Sequence, residues 1–358
     1  MRPRHVVASV TLATLATLAL AAPARADGEL TARGMYYKEE RTRVIQPMLD
    51  ATFDVGERGS GDAHFLVDAI TSASASAGPS GDGFTEKRYE AGGSYRRTIG
   101  RLFTLGGTAR YSTEPDYKAG YGALSGALEL LDKNVTVSAT LGAARDRIIP
   151  AGAQEEHALT TVLGSVAVSQ IVSEHGLVGL SYDLIHLDGY QQNPYRRVTI
   201  GDNAMLMPER HPELRTRHAL AASVKWFFPR FDATVIGQYR FYADDWDLHA
   251  HTPELRIVKD VGEWITVGVR YRYHRQDAAD FYRDKYEVAQ TYLSDDTKLS
   301  AFDSHLIGAR FELTGGALNV VGALEQARIE LVGEYVVQHN TFGNAVVSYA
   351  ALVLPFEY

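Results

Sequence analysis

The chain predicts an all-β fold: a transmembrane antiparallel β-barrel of about sixteen strands, with fourteen and eighteen as alternatives. Three observations carry that expectation. Segments of ten to thirteen residues alternate apolar and polar side chains along the chain, whereas strands of water-soluble proteins centre on about five or six residues. The connections between them alternate short and long. The final segment from Ala350 places Ala350, Leu352, Leu354, Phe356 and Tyr358 on one strand face, because successive strand side chains point to opposite sides.

The first element expected is a signal peptide over residues 1–26. Arg2 and Arg4 form a basic start, the run from Val6 to Ala22 carries no charge, and Ala24-Arg25-Ala26 has the small-x-small cleavage pattern. A membrane anchor is the competing reading, but the run is short and rich in Ala and Thr. Residues 27–358 are then the barrel. Of 36 basic residues three fall in the first 26, leaving 33 against 44 acidic ones, a balance of about −11.

The strands follow in order near 29–39, 44–54, 62–72, 86–97, 101–112, 119–130, 134–145 and 158–171. They continue near 176–186, 215–227, 231–243, 248–259, 263–274, 302–313, 325–337 and 344–358. In the segment 263–274, Ile265, Val267, Val269, Tyr271 and Tyr273 share one face, and Thr266, Gly268, Arg270, Arg272 and His274 the other. Charges confined to one face fit lipid on one side and a polar lumen on the other. A soluble β-sandwich alternates too, but it has no reason to sort its loops by length. Turns such as Thr98-Ile99-Gly100 and Phe228-Pro229-Arg230 are short, whereas 187–214 and 275–301 are long, the asymmetry of outer-membrane barrels. Trp226, Phe231, Trp264, Phe103 and Tyr358 near one rim, with Tyr36, Phe241, Tyr271, Tyr111 and Tyr335 near the other, match two aromatic girdles.

Composition removes several classes. Cys is absent, which argues against disulfide scaffolds and thiol-based metal or redox sites. Mean hydropathy is mildly negative, and after the leader no stretch approaches the ~20 apolar residues of a spanning helix. Nucleic-acid binding is not expected from an acidic chain without a basic cluster. No cofactor is expected. The implied partners are outer-membrane lipid and the barrel assembly machinery, with Phe356 and Tyr358 as the assembly signal; an oligomer is compatible.

Lumen-facing charges are expected at Arg88, Glu90, Arg110, Arg240, Glu254, Arg256, Arg270, Arg272, Arg328, Glu330 and Glu334. They would either bias ion passage or pair across strands and brace the interior. The densest polar run is Asp244-Asp245-Trp246-Asp247-Leu248-His249-Ala250-His251. Asp247, His249 and His251 alternate onto one face, so water activation by an acid–His pair is conceivable, as is a metal held by Asp245, Asp247, His249 and His251. The bland reading is a solvated turn with histidines at the headgroup boundary. Asp303-Ser304-His305 is no Ser–His dyad, because neighbours on a strand face opposite ways. The long loops carry Tyr, Gln, Asn and Arg, suited either to polar ligands or to packing into the barrel mouth.

Several stretches resemble an uncharacterised bacterial family, domain of unknown function 3570. They include Arg43-Val44-Ile45-Gln46-Pro47, Phe84-Thr85-Glu86-Lys87-Arg88-Tyr89-Glu90, Arg110 to Tyr117, and Leu187 to Tyr190 with Asn193 to Arg196. Others are Arg240 to Trp246, His251 to Glu254, Ala279 to Tyr282, Lys298 to Asp303, Phe342-Gly343-Asn344 and Pro355-Phe356-Glu357-Tyr358. The resemblance covers nearly all of the chain after the leader. It implies a bacterial outer-membrane protein and supplies no catalytic residues. Three functions follow as expectations: a porin-like channel for small polar solutes or a structural envelope barrel; an outer-membrane hydrolase with a rim Asp/His site; and a surface barrel that binds a ligand or partner through its long loops. Enzymatic activity is the less expected outcome.

Overall fold

Alternation of apolar and polar residues leaves each strand with one face for lipid and one for the interior, and a sheet built of such strands must close to lose its edges. The structure, a computed structural model, describes residues 27–40, 42–72, 84–150, 155–202, 204–318, 320 and 322–357. The expected signal peptide and Tyr358 lie outside the described residues, as does most of the Ser/Gly-rich loop before Phe84.

The strands are β1 (Asp27–Lys38), β2 (Thr42–Val55), β3 (Gly59–Ser72), β4 (Phe84–Ile99), β5 (Phe103–Thr113), β6 (Tyr117–Leu130), β7 (Val135–Ile148), β8 (His157–Ser173) and β9 (Gly176–Gly189). After β10 (Arg197–Ile200) and β11 (Met205–Pro208) come β12 (Leu214–Phe228), β13 (Ala233–Asp244), β14 (His249–Val261), β15 (Ile265–Gln276), β16 (Phe302–Thr314), β17 (Arg328–Gln338) and β18 (Ala345–Glu357). Sixteen of them form one closed antiparallel barrel, in which β9 pairs with β12 and β1 with β18; β10 and β11 form a separate two-stranded sheet. No helix among the described residues is long and apolar enough to cross a membrane.

Closure fixes the terminal strand. Leu30 lies opposite Leu354 and Ala32 opposite Leu352, so the apolar face of β18 continues around the wall, and Phe356 sits against Gly28. Barrel strands run from 11 to 17 residues, and several are longer than the alternation marks. The pattern fades where a strand clears the apolar layer, because its outward residues there turn polar while backbone pairing continues: β7 ends at Ile148 and β9 at Gly189, past their expected ends at residues 145 and 186.

Turns at one end are tight. Leu131, Asp132 and Lys133 all adopt positive φ, and Gly100 and Gly262 turn β4 to β5 and β14 to β15 at φ of 68° and 71°, a conformation with no steric cost for Gly. The exception is the connection from β16 to β17, which coils through two short 3-10 turns at Gly315–Leu318 and Gly322–Gln326. Trp264 packs directly on Gly316 there, and Gly315 N donates to Ala327 O at 2.7 Å. The long connections gather at the other end.

The outward surface is apolar and open. Leu124, Leu141, Ile307 and Val269 are 58–67% exposed. A protein in water would hide such a band; a bilayer would cover it.

Candidate functional site

Side chains on the inward faces divide the interior into two walls. One is charged and runs continuously through β14–β18 and β1–β5. Arg270 bridges Glu254 at 2.7 Å and Glu334 at 2.8 Å, and Arg256 reaches Glu254 at 2.5 Å. Arg310 holds Glu312 at 2.6 Å and Glu330 at 2.8 Å, and the Tyr349 hydroxyl donates to Glu330 at 2.9 Å. Arg328 meets Glu29 at 2.7 Å, so an ion pair joins β17 to β1 across the intervening β18. Farther round, Arg88 pairs with Asp68 at 2.6 Å, Arg110 lies 3.9 Å from Glu90, and His64 stands between Asp50 at 2.5 Å and Glu90 at 3.6 Å.

The opposite wall is built from small residues. Thr136, Ser138, Ala167, Ser169, Gly179, Ser181, Ala221 and Ser223 line a cavity of about 410 Å³, faced by Gln238, Arg240, Thr252, Glu254 and Arg272. Arg240 stacks 5.6 Å from the Tyr242 ring and makes no ion pair among the described residues, and neither does Arg272. Of the eleven charges expected in the lumen, Arg240, Glu254 and Arg272 line this cavity, and all but Arg240 and Arg272 take part in the ion pairs above.

At the long-loop end the interior is covered by a lid. Trp246, Leu248 and Ala250 turn inward at the β13–β14 hairpin, and Ala279, Phe281 and Leu299 of the 277–301 loop pack on them as a buried cluster. A second cluster joins Val198 and Ile200 of β10 to Tyr286 and Leu293. Tyr286 and Leu293 are essentially inaccessible, at 2% and 0% exposure. Arg210 and Leu293 exchange both backbone hydrogen bonds, at 3.0 and 2.9 Å. Arg196 adds an ion pair to Asp296 at 2.7 Å and lies 3.7 Å from Glu209. Glu209 is buried, which pushes its carboxyl up, but neighbouring His211, the Ser294 hydroxyl and Arg196 outweigh burial and hold it below the usual carboxylate range. The loops therefore pack into the mouth with a core of their own. The β10–β11 hairpin has no counterpart in the sequence reading, because two four-residue strands carry too few alternations to register.

The Asp/His run is organised differently from the expected site. Asp244 is its anchor: its carboxylate accepts Arg215 Nε at 2.9 Å, the Tyr242 hydroxyl at 2.7 Å, and the backbone N–H groups of Trp246 and Leu248 at 3.0 and 3.1 Å. The Arg215 guanidinium also sits 3.9 Å over the Trp246 ring. Asp247 occupies the exposed turn at φ 64° rather than the strand, and Asp245 accepts from Thr216 N at 2.8 Å. His249 and His251 face outward against Phe241, and the Tyr239 hydroxyl lies 2.5 Å from His251 Nδ1. The structure does not bring Asp245, Asp247, His249 and His251 together, and no carboxylate pairs with either histidine among the described residues. It does bring together a trio that the sequence reading missed, Asp303, His305 and His339.

Comparisons with known proteins come down to one family and a set of barrels. The profile of the family "Protein of unknown function (DUF3570)" matches residues 74–164 and 153–320. No curated protein matches the sequence significantly. Among solved structures, a bacterial polysaccharide outer membrane secretin is similar with a TM-score of 0.52 at 10% identity, over 92% of this chain and 98% of that one; it shows the barrel fold. A BenF-like porin from Pseudomonas fluorescens Pf-5 aligns at TM-score 0.48 and 10% identity, over 93% and 99% of the two chains. Pseudomonas aeruginosa OprD aligns at 0.47 and 9%, over 93% and 95%.

Proposed function

This chain belongs to the DUF3570 family, and we propose that it is an outer-membrane channel for small polar solutes with a mouth narrowed by its own loops. The observation that carries this reading is the interior. A cavity lined by hydroxyls, Arg240, Arg272 and Glu254 faces a wall of ion pairs, and burying so many charges dry would cost several kcal/mol per ion after relaxation. Water in the lumen removes that cost. The apolar outward band supplies the bilayer-facing surface, and by the usual loop asymmetry the lidded end faces outward from the cell.

The paired charges support weak ion selectivity, because opposite signs cancel along most of the wall. Planar-bilayer recording of the refolded barrel tests the proposal. Stepwise conductance is expected, rising when residues 190–205 are removed to open the lid. A barrel that is silent with and without those residues would exclude a channel.

One observation favours a second reading, in which the lid binds a ligand or partner. Met205, Leu206 and Val288 are 54–68% exposed on a lid that has its own core. Binding that uses Met205 would weaken when residues 190–205 are removed, while conductance persisted.

A further inference from the structure

We propose that Asp303, His305 and His339 form a binding site for one zinc ion on the outward face of the barrel, at its long-loop end. The argument begins with a motif that recurs three times. A Tyr hydroxyl meets a His Nδ1 on the neighbouring strand at Tyr182–His218 (2.7 Å), Tyr239–His251 (2.5 Å) and Tyr271–His305 (2.8 Å). All three pairs lie on outward faces, where amphipathic rings suit the headgroup boundary. Only His305 turns its second nitrogen toward further ligands. Among the described residues its trio is the only group of three that combines imidazole with carboxylate within reach of one ion.

The spacing fits the metal. Asp303 Oδ2 lies 2.8 Å from His339 Nδ1 and 3.6 Å from His305 Nε2. Donors about 2.0–2.1 Å from a tetrahedral zinc stand roughly 3.3 Å apart, so the two separations bracket the requirement. The His305 and His339 rings meet edge to face with centroids 6.0 Å apart, so both can aim a nitrogen at one point beside the carboxylate.

The backbone holds the donors before any ion arrives. Asp303 and His305 are alternate residues of β16, both outward, and His339 N donates to Asp303 O at 3.0 Å. Tyr271 adds orientation. With its Nδ1 proton directed to the Tyr271 oxygen, His305 keeps the lone pair on Nε2 for the metal, the outer-sphere arrangement common to zinc-bound histidines. Two imidazoles and a carboxylate suit zinc better than calcium or magnesium, which take oxygen donors. Three protein ligands leave a fourth position for water. The ion would clamp β16 to the turn after β17.

The test uses the full barrel, refolded in detergent without a polyhistidine tag and titrated with zinc chloride against a chromophoric chelator. One equivalent of saturable zinc is expected. His305→Ala and His339→Ala should each weaken it at least about tenfold, and Tyr271→Phe by up to a similar factor. His251→Ala, at a Tyr–His pair without the other donors, should leave affinity unchanged. Folding of each variant is read from heat-modifiable electrophoretic mobility. If an alanine variant does not refold, the cobalt spectrum of the unmodified barrel decides: intense visible bands, bleached by one equivalent of zinc, mark a four-coordinate site. Absence of saturable zinc, wild-type affinity in His339→Ala, or a cobalt spectrum of the hydrated ion would each overturn the proposal.

Discussion

The two walls of the lumen use the same backbone and the same register rules, yet they meet opposite demands. On β14–β18 and β1–β5, long charged side chains reach across to neighbouring strands and hold one another, as Arg270 does between Glu254 and Glu334. On β6–β9 and β12, Ser, Thr, Gly and Ala keep the surface low and leave the cavity of about 410 Å³. A sixteen-strand barrel is wide, and side chains reaching inward from every strand would crowd it. Concentrating bulk on one side braces the sheet there and leaves a polar path along the other. The braced wall sets the shape, and the small wall sets the clearance.

That division is most directly broken by adding bulk to the small wall. Ser181 faces the cavity between Ala167 and Ala221. Ser181→Trp should reduce single-channel conductance by more than half while the barrel folds normally, since the new ring enters open space. An unchanged conductance would place the path elsewhere.

The next largest effect concerns the braced wall. Glu254 accepts both Arg256 and Arg270 and is the least exposed member of its cluster. Glu254→Gln leaves two guanidinium groups with weakened partners. Arg256 is well exposed, so in the proposed water-filled lumen the penalty should be about 1–2 kcal/mol, below that of a dry buried pair. Denaturant unfolding measures it. Reversal potentials under a salt gradient should shift toward anions, because Arg240 and Arg272 then face the cavity with less opposing charge. A shift toward cations would contradict the assignment of these residues to the lumen.

Much of this division was legible in the sequence, because strand alternation is local. Arg270 and Arg272 share a face with Thr266 whatever the rest of the chain does, and loop lengths announce which end is which. The lid was not legible in the same way. Val198, Ile200, Tyr286 and Leu293 lie far apart in loops without periodicity, and only their packing makes them a core. The Asp244–His251 run misled for a related reason. Its composition suggested convergence, but the turn at Asp247 breaks the alternation, so Asp244 points inward to Arg215 while His249 and His251 point outward. Asp303 and His305 are visible two residues apart, whereas His339 joins them only through the pairing of β16 with β17.

The smallest effect sharpens how the walls are joined. One lid loop leaves the small wall between β9 and β12, the other leaves the braced wall between β15 and β16, and Glu209 and Arg196 of the first meet Ser294 and Asp296 of the second. Because the Glu209 carboxyl is held below its ordinary range, its ionisation stabilises the closed lid. That contribution is complete above the usual carboxylate pKa of about 4.3 and is lost as pH falls through the depressed value. Asp295 acts in the other direction: burial raises its carboxyl despite the Arg196 charge, so protonation relieves a cost as the solution acidifies. Opening events in bilayer recordings should therefore hold level or fall slightly between neutral pH and about pH 4, and increase only below that. Glu209→Gln should open more often at neutral pH and lose that acid-driven increase, leaving the slight tightening due to Asp295. An acid response identical to that of the unmodified barrel would show that the two walls are joined by the apolar lid core rather than by its charges.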